Sequence, residues 1–368
     1  MLKEYKVSEI ADLVVHGRTT SDRQPIRLFW SASSLEMNLK AGELWVEFET
    51  DYDLYAQWIS VVLNGAHIAR FMLPKGRVWM PILNGLNPEK VNHVEIIRDV
   101  QAMPTDEKCS LLVHSVRTDG AFLPVPEKKL RLEVIGDSIT SAEGAIGAKD
   151  ETDWIAPFFC AARGYAYLTA QKLNADLHVI SESGWGALSS WDADPNCAIP
   201  KHYMEICGTV PGETQQKLGA LELNDFEKWN ADVVVINLGA NDHSAFFQPP
   251  HTDEKTGEVF EQKALPNGMF DPASMERLQK AQYDFLKTVR ACHPNAYILW
   301  CHGMLGAPLQ NTISAVVKQY VSDTGDKKAE YFPLPNEPRT GYGARSHPGL
   351  PMHEAAAEVL AEKIRTLL

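Results

Sequence analysis

The chain has 368 residues, 45% of them hydrophobic and 23% charged, which fits a globular protein of two domains and excludes a disordered chain. A formal net charge of −13 disfavours the basic surface that nucleic acid or an anionic membrane would require, so a neutral or modestly charged small substrate is the expected partner. No run approaches the roughly 18 apolar residues of a membrane span, and Lys3, Glu4, Lys6, Glu9 and Asp12 stand where a signal peptide would be apolar; the expected location is cytoplasmic, or secreted if a leader has been removed.

From about Arg18 to Arg117 the pattern is one of short β-prone segments: Ile26 to Trp30, Leu44 to Phe48, Trp58 to Leu63, His67 to Met72, Val78 to Pro81, Val91 to Ile97 and Leu111 to Val116. Apolar and polar residues alternate in several of them, and Asn64-Gly65, Lys75-Gly76 and Asn84-Gly85 supply turns. Strands at this spacing predict a β-sandwich. The one helical candidate in this region is Val7 to Val15. After Gly120, the proline-bearing stretch Ala121 to Lys129 reads as a linker, dividing the chain into domains 1–125 and 126–368.

Beyond it the period changes. Strand candidates at Leu130 to Ile135, Asp176 to Ser181, Val233 to Leu238, Ala296 to Cys301 and Ala329 to Leu334 alternate with helical ones. The predicted helices are Tyr165 to Leu173, Gln215 to Trp229, Pro272 to Cys292, Gln310 to Asp323 and Met352 to Leu367. Alternation of this kind predicts a five-stranded, mostly parallel sheet covered on both faces, with the loops after the strands gathered on one edge. The six cysteines form no Cys-x-x-Cys pair, and of the two Cys-His pairs that could be imagined as metal ligands, Cys292-His293 stands at a predicted helix end and Cys301-His302 at a predicted strand end, which argues against a zinc site. Reduced structural thiols, no metal and no cofactor are expected.

The residues that follow the strands carry the chemistry. Val134-Ile135-Gly136-Asp137-Ser138 is a short buried strand that breaks at glycine and presents a serine at its carboxyl end, where open α/β sheets place their sites. Taken alone, Ser138 reads first as a helix N-cap, and only the other blocks turn it into a nucleophile. The other strand ends carry Glu182-Ser183-Gly184-Trp185-Gly186 and Gly239-Ala240-Asn241-Asp242, and Ser346-His347-Pro348-Gly349 precedes the last helix. Ester cleavage by serine needs a base within hydrogen-bond reach and donors aimed at the oxygen that becomes negative. Ser138 supplies a nucleophile and, at a helix start, its own N–H; Gly186 offers a second N–H, Asn241 a side-chain amide, and His347 the base.

These blocks resemble the SGNH (GDSL-type) hydrolases, named for Ser, Gly, Asn and His, over roughly residues 130 to 368. Joined to an N-terminal sandwich, they are similar to carbohydrate esterase family 2, whose members remove acetyl groups from xylan, mannan and related sugars. The resemblance implies a jelly-roll-like sandwich followed by a flavodoxin-like α/β/α domain. It further implies a metal-independent serine esterase with Ser138 and His347 as catalytic residues and Ser138, Gly186 and Asn241 as the oxyanion hole. The SGNH pattern has an aspartate three residues before the histidine, and this chain has Ala344 there. The resemblance then implies a Ser-His dyad steadied by a backbone carbonyl, for which one near Trp300 is the candidate by position. Glu337 and Asp326 are alternative acids.

Asp137 and Asp242 are expected to satisfy backbone amides beneath the site. Trp185, Trp191 and Trp300 are the candidate sugar contacts, since indole stacks on the apolar faces of a sugar, although each could pack internally instead. His353 is a rival base, read as a surface or structural residue of the last helix, and His243 as a loop residue or a lining one. The insertion from Asp192 to Gly212 is a candidate cleft wall, Asp253 to Glu258 a solvated hairpin, and Phe246 and Phe247 candidates for the leaving-group side. The expected activity is O-deacetylation of acetylated oligosaccharides, with loss of activity in acid as the imidazole is protonated. A lipid esterase or thioesterase, or a degenerate carbohydrate-binding protein, are the alternatives.

Overall fold

The computed structural model describes residues 1–336 and 341–368. Two antiparallel sheets are built from the first third of the chain. One runs in the order Lys3–Lys6, Ser110–Thr118, Glu43–Asp51, Gly76–Asn84, with Ile26–Arg27 beside Ser110–Thr118. The other runs Ala121–Leu123, Ser34–Lys40, Asn92–Arg98, Trp58–Leu63, Ala66–Met72, with Val14–His16 beside Ser34–Lys40. The two-residue side-chain period of a strand explains how they meet. Leu44, Val46 and Phe48 of the first sheet, and Leu35, Met37 and Leu39 of the second, enter one shared apolar cluster.

Two sequence expectations fail here. The helix over Val7 to Val15 is a single 3-10 turn, Val7–Glu9, because the β-branched Val14 and Val15 pair instead with Glu36 and Leu35. The strand Ser34–Lys40 has no counterpart among the predicted segments; its Leu-x-Met-x-Leu alternation is what places it inside the second sheet.

The last two thirds form a parallel sheet in the order Ala175–Ser181, Leu130–Gly136, Val233–Asn237, Tyr297–His302, Ala329–Pro333, all of its pairs parallel. Alternate residues go to opposite faces. Val233 and Val235 join the cluster beneath the helices Tyr165–Leu173 and Leu350–Arg365, while Val234 and Ile236 join the one beneath Pro272–Cys292 and Gln310–Thr324. The longest helix starts where Asp271 accepts the Ser274 N–H at 2.9 Å and Pro272 sets the first turn. The helix expected over Gln215 to Trp229 shrinks to Glu213–Lys217. Gly219 at φ +81° ends it, and the following residues bond to the 204–207 segment, Ile206 N–H to the Glu222 carbonyl and Cys207 N–H to that of Ala220. Asp253 to Glu258 lie in a two-stranded hairpin, as expected. All six cysteines are free. Among the described residues no helix is long and apolar enough to cross a membrane.

Buried charge joins the antiparallel sheets to the parallel one. Arg18 reaches Glu133 at 3.1 Å on the strand Leu130–Gly136 and also donates to the carbonyls of Tyr203 and Glu205. Burial alone would raise the Glu133 carboxyl, but Arg18 and the hydrogen bonds from His293 and Tyr203 hold it well below the carboxylate range. Nearby, His16 bridges Glu36 and Asp176, the latter at 2.6 Å. Burial opposes the charged imidazole, yet the two carboxylates raise its pKa, and both carboxyls are depressed in spite of their own burial.

The depressed carboxyls stabilise the fold above their unfolded pKa values near 4 and cease to do so as pH falls; the raised His16 stabilises it below about 6.5 and ceases to do so as pH rises through its folded value. This network is therefore expected to contribute most between roughly pH 4.5 and 6.5, and His16→Gln to flatten the alkaline side of a plot of urea midpoint against pH. Glu133→Gln strands a buried guanidinium and is expected to cost about 3–5 kcal/mol at unchanged m-value.

Candidate active site

The central strands Leu130–Gly136 and Val233–Asn237 flank the point where the strand order reverses, and their carboxyl ends open the crevice in which doubly wound sheets hold ligands. Ser138 sits there, 7% exposed. A tight turn carries it: the Asp137 carboxylate accepts the Ile139 N–H at 3.0 Å, the Asp137 carbonyl that of Ser141 at 3.0 Å, and the Ser138 carbonyl that of Glu143 at 3.0 Å. No helix begins at Ser138, contrary to expectation, because the chain leaves in successive turns.

His347 arrives from the loop before the last helix. Its Nε2 lies 2.8 Å from Ser138 Oγ, and its Nδ1 lies 2.9 Å from the Arg345 carbonyl oxygen. A carbonyl only accepts, so Nδ1 carries the proton and the Nε2 lone pair faces the serine hydroxyl. The carbonyl that holds the ring is thus Arg345's, two residues upstream, and not one near Trp300.

Trp300 is excluded as a sugar contact as well. It is 0% exposed on a strand buried on both faces, and its indole donates to the Leu238 carbonyl at 3.2 Å. Of the alternative acids, Asp326 pairs with Arg290 at 2.8 Å, and Glu337 lies outside the described residues. Ala344 is fully buried. It packs so closely on Gly144 and Gly147 that a side chain on either glycine would overlap it.

The other two blocks interlock. Asn241 Nδ2 donates to the Trp185 carbonyl at 2.9 Å and lies 3.4 Å from Asp137 Oδ2. Asp242 accepts the N–H groups of Ala187 and Leu188 at 2.9 and 2.8 Å. Gly186 is required by this approach, since a Cβ there would lie 2.5 Å from the Ser189 carbonyl oxygen and 2.7 Å from the Asp242 carboxyl carbon. Ile199 of the 192–212 insertion donates to the Gly186 carbonyl at 3.0 Å. Burial pushes the Asp242 carboxyl up to about 6 against the pull of the backbone amides. Asp137 rises to about 7 through burial, opposed by the Ile139 N–H and assisted by the nearby Asp242 and Glu143 charges.

Three contacts were missed at the sequence level. Glu143 is buried, with Oε1 2.9 Å from Arg345 Nε and 3.8 Å from His347 Nε2. Gln101, from the antiparallel part, accepts both the N–H and the hydroxyl of Ser183 at 3.0 and 2.8 Å and donates to Glu182. Arg345 itself drew no notice. Nothing in an isolated Glu, Gln or Arg signals such a role; only its chain distance from Ser138 or His347 marks Glu143 and Arg345.

Among the aromatic candidates, Trp191 is 50% exposed and rests against Gly184, whereas Trp185 is 6% exposed and packed in the core. Phe246 is buried and Phe247 exposed. His353 is no surface residue: it is fully buried, accepts the Tyr165 N–H at 3.1 Å, and burial pushes it down to about 3. His243 packs edge-on against Phe247 and Phe270.

Away from the strand ends, a cavity of about 550 Å³ is lined by His16, Glu36, His93, Glu95 and Lys128, among others. Glu36, His93 and Glu95 are the one group of three potential metal ligands among the described residues. The Lys128 ammonium already lies 2.8 Å from Glu36 and 3.7 Å from Glu95, so a cation's place is held by the chain itself.

A scan against protein-family models gives no match. Among solved structures, an acetyl xylan esterase (Est2A) from the rumen bacterium Butyrivibrio proteoclasticus is similar at TM-score 0.97 and 36% identity, over 100% of this chain and 98% of that one. A family two carbohydrate esterase from Clostridium thermocellum, solved with cellohexaose, shares the fold at TM-score 0.77 and 24% identity, over 96% of this chain and 98% of that one. The cellulase/esterase CelE of Acetivibrio thermocellus is 26% identical over 357 residues, 95% of this chain, and the chain spans 38% of its length.

The raised carboxyls bear a testable cost. A group whose folded pKa is raised favours the fold most below its unfolded value near 4, and that advantage is lost as pH rises through the folded value. Asp137→Asn keeps an acceptor for the Ile139 N–H and removes the charge. It is expected to raise the urea midpoint at pH 8 by an amount worth a few kcal/mol, with the gain vanishing near pH 4.

Proposed function

The chain belongs to carbohydrate esterase family 2, and we propose that it removes O-acetyl groups from acetylated xylan- or mannan-type oligosaccharides. The observation that carries this reading is the 2.8 Å contact between His347 Nε2 and Ser138 Oγ, with Nδ1 tied to the Arg345 carbonyl. Ser138 Oγ attacks the acetyl carbon while its proton passes to Nε2. The negative oxygen is met by the N–H groups of Ser138 and Gly186 and by the Asn241 amide. The imidazolium returns the proton to the sugar oxygen as the bond breaks, leaving an acetyl-enzyme. Water, deprotonated by the same histidine, releases acetate and restores the serine. Asp137 and Asp242 stay beneath the site and hold its loops. Trp191, half exposed beside the second rim loop, is the proposed stacking surface for a sugar ring. The xylan named for the Butyrivibrio relative and the cellohexaose bound by the Clostridium one support a β-linked glycan over a lipid.

The same reading divides the chain into a jelly-roll-like sandwich over 1–125 and a catalytic domain over 126–368, an assignment supported by the change from antiparallel to parallel pairing. The free thiols support a reducing, cytoplasmic setting.

Acetate release from acetylated xylan, glucomannan and chitin oligosaccharides tests the proposal. Ser138→Ala is expected to lower kcat by about 10⁴-fold or more; unchanged release would refute the nucleophile. Short-chain nitrophenyl esters should be preferred over long-chain ones, and the reverse preference would move the reading to a lipid esterase.

A further inference from the structure

We propose that the Glu143–Arg345 ion pair is the positioning device that takes over the task of the absent acid, an inference that rests on the Ser138–His347 reading above. The carbonyl that orients His347 belongs to a residue in an unfavourable conformation: Arg345 has φ +55° and Ser346 φ +56°. Side-chain-bearing residues hold such angles only when their surroundings over-determine them. Here the Arg345 N–H donates to the Glu151 carbonyl at 2.7 Å, its Nη1 to the Thr152 carbonyl at 2.8 Å, and its Nε to Glu143 at 2.9 Å. Without these anchors the 345 peptide is free to turn its oxygen away from Nδ1.

Glu143 is the anchor that belongs to the nucleophile's own turn, since its N–H is bonded to the Ser138 carbonyl at 3.0 Å. The next residue, Gly144, has φ +68° and lies so close to the His347 loop that a Cβ would sit 2.8 Å from His347 Cβ. The Ala344 N–H donates to the Gly144 carbonyl at 2.9 Å. The ion pair therefore locks the serine turn to the histidine loop, and any shift of one carries the other.

The carboxylate has a second effect. It lies 3.8 Å from His347 Nε2, a distance at which a negative charge favours the imidazolium formed when Ser138 gives up its proton. An acid behind Nδ1 would orient the ring and stabilise its charge with one group. In this chain the Arg345 carbonyl orients and Glu143 supplies the charge from the other side. Among the described residues, the other charged groups near His347 are Arg345, which faces Glu143; His353 on the last helix, which His347 repels; and Asp137 beneath Ser138, which interacts with Glu143.

The test uses the full chain. Glu143→Gln keeps a hydrogen bond to Arg345 but removes the charge; it is expected to lower kcat about 10-fold with KM unchanged and to move the acid limb of the kcat/KM profile to lower pH. Glu143→Ala and Arg345→Ala are each expected to lower kcat about 100-fold, with the double variant no worse than either single one. If the alanine variants do not fold, Glu143→Gln decides alone. Full kcat and an unmoved acid limb in folded Glu143→Gln would overturn the charge effect, and an additive double variant would overturn the clamp. The His347 Nδ1 proton, followed by NMR, is expected to stay protected from exchange in the parent and in Ser138→Ala and to lose protection in Arg345→Ala. If Ser138→Ala releases acetate like the parent, the assignment of Ser138 as nucleophile has failed, and the NMR readout still judges the clamp.

Discussion

The hydrogen bond from His347 Nδ1 to the Arg345 carbonyl governs what the rest of the site can do. It fixes the tautomer, and the tautomer decides whether Nε2 meets Ser138 as an acceptor or as a competing donor. A carboxylate in that place would add its charge. A carbonyl adds only direction, so the burden moves to the backbone that holds the carbonyl, which explains why the 341–347 loop, in which Gly341, Arg345 and Ser346 have left-handed angles, is tied at so many points to the turn after Ser138.

A similar division of labour organises the other side of the crevice. Asn241 and Asp242 are neighbours with opposite duties: one donates to the carbonyl before Gly186, the other accepts the amides after it. The loop is thereby gripped on both flanks while the Gly186 peptide lies between. Burying Asp242 and Asp137 opposes stability at neutral pH, and both persist where the proposed chemistry is placed, as expected when selection on geometry outweighs selection on stability.

The parallel sheet was legible because its strands are short, rich in β-branched and other apolar residues and alternate with helical segments, and the Ser138, Gly186 and Asn241 blocks follow three of those strands while the His347 block precedes the last helix. What the sequence concealed was local in one case and long-range in the others. Val14-Val15 looked helical with Val7 and Ile10 until Ser34–Lys40 offered them an edge to pair with, and a tertiary partner overrode a weak pattern. Trp300 was misread because a tryptophan at a strand end has the same letters whether it faces the crevice or the core. Arg345 stood two residues before the histidine all along, yet a backbone carbonyl has no sequence signature, since every residue carries one.

The Gln101 amide has a consequence for how such a protein can change over generations. It reaches out of the antiparallel part to hold Ser183, three residues before Gly186, so the rim of the crevice is not the property of the parallel sheet alone. The two parts cannot be exchanged between lineages as independent modules. A recombinant carrying a foreign antiparallel part would inherit its core intact but arrive with a slack rim, and selection would retain the two together as one heritable unit.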